Sequence, residues 1–182
     1  MAETIARDVA NPGGAITLAE LARQDAVPEA RLRFGCLMVA RRYWNSYEPA
    51  LRVEAKTCLE EAVKLNADDW SSRAALAILV VEDARARSGE ERAALLSAAR
   101  ALAADVDRSN PLLQVARLAV AACEGDASTL RTIASDLLAA FPNNPDVLAD
   151  VGSKLGLVAG DWPKALEVEA RAMALNPAPA PW

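Results

Sequence analysis

The sequence predicts an all-α protein, an α-α superhelix of about four helical hairpins. Three observations predict it. The first is composition. Of 182 residues 41 are Ala and 23 are Leu, so hydrophobic types reach 53% while aromatics stay at 4%. Small apolar side chains suit closely packed helices, whereas a β-sandwich or barrel draws on Val, Ile and aromatics with frequent turns. The second is helical periodicity, which dominates from about residue 28 to 175. The third is recurrence: Gly125 and Gly160, Asp126 and Asp161, Pro142 and Pro177, and Leu113 and Leu148 each stand 35 positions apart. Such a period marks helix–turn–helix units that bury their apolar faces against one another.

The elements follow in order from local signals. Pro28 suits the first position of a helix, and the stretch through Tyr43-Trp44 has no breaker except Gly35. Pro49 opens the next helix, which runs to Leu65 with Val53, Ala55, Leu59, Ala62 and Val63 at helical spacing. Asn66-Ala67-Asp68-Asp69 ends it and supplies an acidic cap for a helix beginning near Trp70, whose stripe is Ala74, Ala77, Ile78 and Val81. Gly89 marks a break, and Glu90 to Val106 is helical again. Asn110-Pro111 and Asn144-Pro145 repeat one start signal, an Asn N-cap followed by a Pro whose missing N–H costs nothing there. Gly125-Asp126 and Gly160-Asp161 repeat one stop and restart, and Pro142 and Pro177 close the second helix of each pair. Links this short predict antiparallel hairpins.

Composition also excludes chemistry. There is no His, which removes a Ser-His-Asp triad, a Cys-His pair, imidazole ligation and phosphohistidine relay. Twenty basic against 25 acidic residues give a net charge of −5, which offers no counterion-release drive toward nucleic acid or anionic lipid. No window approaches a membrane span, and no basic region precedes an apolar one at the N-terminus, so a cytoplasmic location is expected. Cys36, Cys58 and Cys123 are odd in number and fall in helical patterns; they are expected to be small buried hydrophobes in a reducing compartment.

The stretch from Asn144 to Pro177 resembles the tetratricopeptide repeat (TPR) family. Leu148, Val151, Gly152 and Leu155 stand where the family's first helix has Trp, Leu, Gly and Tyr. Gly160 and Trp162 fit its turn, and Ala165, Ala172 and Pro177 fit its second helix, although Glu169 replaces the usual Phe. Asn110 to Pro142 keeps Leu113, Ala116, Gly125, Ala134 and Pro142, with Leu130 and Leu137 where Ala is usual; Ala55, Leu59 and Ala62 repeat the second-helix pattern upstream. The resemblance implies repeats at about 28–66, 69–107, 110–142 and 144–177 within a domain over 27–177. A connector with short helices (1–26) precedes it and a Pro-rich tail (178–182) follows. The runs Cys36 to Trp44, Glu48 to Leu51 and Cys58 to Val63, with the opening Ile5 to Ile16, resemble C-terminal TPR regions of bacterial signalling proteins. Those proteins carry an adenylate cyclase or winged-helix domain ahead of the repeats. That resemblance implies a portion of a larger regulator.

Family architecture places ligands on a concave face built from the first helices. In this register the exposed inner positions are Ser72, Ala75, Leu79 and Glu82, then Gln114 and Leu118, then Asp146, Ala149 and Ser153. They lack the inward Lys, Asn and Arg set with which one TPR subclass clamps a C-terminal carboxylate. Arg31, Arg33, Arg41 and Arg42 cluster before Tyr43, Trp44 and Tyr47. They read either as an anion or nucleotide patch or as a solvated face balanced by nearby Glu residues, with Tyr43 and Trp44 packing the first hairpin. Asp68-Asp69 and Glu60-Glu61 suit helix capping better than acid–base work. Asn11-Pro12-Gly13-Gly14 lacks the Lys of a phosphate loop. On the last hairpin Trp162, Leu166 and Met173 form an apolar strip, an end-to-end interface expected to be covered by a second copy (a homodimer), by the tail ending in Trp182, or by a further segment.

The expected function is a non-catalytic protein–protein interaction or scaffold module in bacterial signalling, with no cofactor or metal and a protein or peptide partner. A small-ligand or nucleotide sensor using the Arg31–Arg42 helix is the alternative from a second class, and a small helical enzyme would need a deep polar pocket.

Overall fold

Local capping chemistry sets where the helices begin. In the computed structural model the described residues are 34–104 and 110–176. They hold eight helices and no strand: α1 Cys36–Ser46, α2 Pro49–Leu65, α3 Trp70–Arg85, α4 Gly89–Leu102, α5 Pro111–Glu124, α6 Ala127–Ala140, α7 Pro145–Leu157 and α8 Trp162–Leu175. The expected connector, the start at Pro28, the end of the second repeat at residue 107, Pro177 and the tail lie outside the described residues.

The duplicated signals act as the sequence requires. Asn110 Oδ1 accepts from the backbone N–H of Leu112 (3.0 Å) and Leu113 (3.2 Å), and Asn144 Oδ1 from those of Asp146 (3.1 Å) and Val147 (3.2 Å). Pro follows each as the first helical residue. Asp126 accepts from Thr129 N–H at 3.0 Å and Asp161 from Lys164 N–H at 3.2 Å. Thr129, first through its side chain and then its N–H, holds the Asp126 carboxyl below its ordinary value. Gly125 and Gly160 reach φ of 75° and 70°, a left-handed turn that favours glycine, and so reverse the chain between paired helices. Asp69 caps α3 by accepting from the Ser72 N–H (3.2 Å) and hydroxyl (2.7 Å).

The described residues divide into two compact units between Ser72 and Arg73. In the first, α1 and α2 pack as a hairpin, with Cys36, Ala40 and Tyr43 of α1 and Leu51, Ala55, Leu59 and Ala62 of α2 buried. A disulfide joins Cys36 to Cys58 with Cα atoms 5.3 Å apart. This corrects the expectation of three free thiols. The odd count concealed one pair plus one free cysteine, Cys123, which is buried.

The second unit is built from neighbours in sequence. The helices α5 and α6, and α7 and α8, pair; α6 packs on α7, α5 on α7, and α4 on α5. Ala74 and Ala77 of α3 meet Leu113 and Ala116 of α5 beside Ala103. One core then runs from Leu118 through Leu130, Leu137, Leu148, Val151, Leu155 and Val168 to Ala172. Helix α4 ends at Leu102, short of the expected Val106. Arg73 explains the stop: its Nε donates to the Leu102 carbonyl (3.1 Å) and Nη2 to that of Ala101 (3.0 Å), acceptors that a continuing helix would use itself. Helices α7 and α8 approach closely at two glycines. A Cβ on Gly152 would lie 2.8 Å from Glu169 Cγ, and one on Gly156 2.9 Å from the Trp162 ring.

Two outcomes are expected. Denatured without reductant, the chain should titrate one thiol, rising to three after reduction. Cys58→Ser should cost about 3 kcal/mol by loop-closure arithmetic, seen as an earlier thermal transition; three thiols before reduction would refute the pairing. Gly156→Ala should lower Tm although exchanging Gly for Ala inside a helix is ordinarily worth about 1 kcal/mol in stability, because the rigid indole must move; a raised Tm would show that the contact yields easily.

Candidate functional site

Five of the expected inner positions are closed. Ser72, Ala75, Leu79 and Leu118 are fully buried and Gln114 is 6% exposed, so none offers an open face as the register required. Glu82 and Asp146 are half-buried and Ser153 is exposed. The physical reason lies in α5, where Leu113 to Ala116 and Leu118 to Ala121 are all buried. A helix apolar on every side is enclosed on every side. The run Val115-Ala116 and Leu118 through Ala122 was the signal for this, and assignment of faces by repeat register overrode it. Gln114 Oε1 accepts from Arg117 Nη1 at 3.2 Å, while its amide nitrogen has no partner among the described residues.

One open feature of the second unit, among the described residues, is a cleft of about 460 Å³ at the C-terminal ends of α3, α5 and α7, with Arg92 contributed by α4. Ala122, Leu157 and Val158 supply apolar lining, and Arg85, Arg92 and Lys154 supply positive charge. The three cations are not equivalent. Arg92 donates through Nη1 to the Ala84 carbonyl at 3.3 Å and through Nη2 to that of Cys123, so it holds the end of α5. Lys154, with a side chain only 15% exposed, pairs with Asp150. Arg85 is exposed and has no hydrogen-bond or ion-pair partner among the described residues. Its planar guanidinium is therefore available to a carboxylate or phosphate. Ser153 is the one expected groove residue that reaches this cleft; its hydroxyl donates to the Asp150 carbonyl at 3.1 Å. The other seven lining residues were not among the site residues expected from the sequence.

Behind the cleft Glu169 of α8 lies over Gly152 of α7. Burial, and then the negative charge of Asp150, raise its carboxyl above the ordinary value against opposing help from the Ser153 N–H and Lys154. No group of three metal-ligating side chains converges among the described residues, and none of the described helices is long and apolar enough to cross a membrane.

The arginine cluster of the first unit is not assembled into a pocket by the described residues. Arg31 lies outside them, Arg41 is half-buried and Arg42 exposed. Tyr43 is buried, meets Tyr47 edge-on at 5.6 Å and carries the Arg52 guanidinium 6.0 Å from its centroid, so its ring is engaged within its own hairpin. On α8, Trp162, Leu166 and Met173 are exposed at 54%, 67% and 64%. Comparison of the chain with protein families, curated proteins and solved structures returns no match.

The raised Glu169 carboxyl gives a signed expectation. Between the unfolded and folded values the folded chain binds more protons, so stability falls as pH rises through that interval and stays lower above it. Glu169→Gln should therefore raise Tm at neutral pH, and its advantage over the wild type should shrink on acidification below about pH 4, the ordinary Glu range. A pH-independent difference would refute the assignment.

Proposed function

We propose that the chain is a non-catalytic protein-interaction module, a TPR-like array in which the cleft seats a short partner segment that combines a carboxylate with aliphatic side chains. The observation that carries the reading is Arg85, without a partner among the described residues, beside the apolar lining of Ala122, Leu157 and Val158. A carboxylate on the guanidinium and an aliphatic group on that lining would use both halves of the cleft. Packing between sequence neighbours and the 35-residue recurrence of caps support the array reading. A binding role also accords with a chain that has no His.

The resemblance to repeat regions of bacterial signalling proteins makes this module the regulatory portion of such a protein. The same reading places it in the cytoplasm, where thiol systems work against a disulfide. The state of Cys36 and Cys58 in protein isolated under thiol-blocking conditions reports on that compartment.

Selection of a short-peptide display library on the full chain tests the proposal. Enriched sequences should pair Asp, Glu or a free C-terminus with Leu, Ile or Val. Arg85→Glu and Leu157→Asp should each weaken the selected peptides at least tenfold, with helical circular dichroism unchanged. Absence of enrichment, or peptides indifferent to both substitutions, would overturn it.

A further inference from the structure

The helices α6 and α8 carry the same cap at the same register, Asp126 and Asp161, so residues 35 apart occupy equivalent places. On α6 the outer face receives the next hairpin. Arg131 Nη2 donates to the Ala159 carbonyl at 2.6 Å, just beyond the end of α7, and Leu138 packs against the shared core. The equivalents on α8 are Leu166 and Met173, both largely exposed, and Trp162 at its first turn extends the strip. The face that seats a helix one repeat earlier is thus bare and more apolar here. The polar joint is also gone: Leu166 cannot bond the terminal carbonyl of a following helix as Arg131 does. A further hairpin docked in the same manner would lose that contact.

We infer that this face is an isologous interface, on which α8 of a second copy packs antiparallel to the first. The sequence of α8 is self-complementary for that arrangement. With the two-fold axis beside Val168, Leu166 lies opposite Ala170 of the second copy and Trp162 opposite Ala174, so large side chains meet small ones. Ala170 and Ala174 are exposed, as the fit requires. Glu169, which would crowd the axis with negative charge, is turned inward onto Gly152. The contact is one helix wide, at the small end of interface sizes, so the association expected is weak and reversible. This inference uses residues separate from the cleft and stands or falls independently of peptide binding.

Sedimentation of the full chain over a wide concentration range is the test. A reversible monomer–dimer equilibrium is expected. Leu166→Arg, which installs the residue α6 carries, should abolish the dimer while leaving Tm and helical content unchanged because the position is exposed. Ala170→Cys should be cross-linked into a dimer by a short bismaleimide, since the two copies of that residue lie on either side of the axis, offset by about 6 Å along the helices and so beyond direct disulfide reach. A monomer at every concentration, as when another part of the same chain covers the strip, would overturn the inference. So would a dimer that survives Leu166→Arg, or an Ala170→Cys variant that does not cross-link.

Discussion

Every α-helix end leaves backbone donors or acceptors unpaired, and several charged side chains of the described residues are committed to satisfying them. Asp69, Asp126 and Asp161 accept from first-turn N–H groups, and Asn110 and Asn144 do the same without charge. At the opposite ends arginines reach carbonyls: Arg73 to Ala101 and Leu102, Arg92 to Ala84 and Cys123, Arg131 to Ala159, and Arg171 to Pro142. Several of these bonds link one hairpin to another, so the groups that finish a helix also align its neighbour. The signs agree with the helix dipole, acids at N-termini and guanidinium groups near C-termini.

Packing then follows from small residues. Helix backbones come close where Ala74, Ala77, Ala116, Ala134, Ala165 and Ala172 are buried. Gly152 and Gly156 carry this further by admitting the Glu169 side chain and the Trp162 ring against the α7 backbone. The first hairpin adds a covalent tie to its packed side chains, Cys36 to Cys58. That bond restricts the unfolded chain and does not depend on core volume.

Features that depend on a few adjacent residues were legible in the sequence. The starts of α2, α5 and α7 were visible in Pro49, Asn110-Pro111 and Asn144-Pro145, and the reversals in Gly125 and Gly160, because capping and left-handed turns are local. Burial was less legible. Leu79 and Leu118 were assigned to an open face by repeat register, although α3 and α5 carry apolar residues around most of their circumference and periodicity cannot orient such a helix. The disulfide and the cleft depend on residues distant in sequence, Cys36 with Cys58 and Arg85 with Lys154, which no local pattern links.

The residues that depart from this scheme are therefore the informative ones. Most arginines of the second unit with a described contact hold a carbonyl or a carboxylate, so a net charge of −5 does not describe the local field at Arg85. An exposed arginine that closes no helix end has its desolvation and ordering still to come, and a ligand carboxylate can meet them. The same logic distinguishes Leu166 from Arg131. Exchanging a carbonyl-binding arginine for leucine at an equivalent, exposed place removes a joint within the chain and substitutes a surface that gains by leaving water. Both departures face outward, and on the two proposals one would meet an acidic segment of a partner and the other an identical helix.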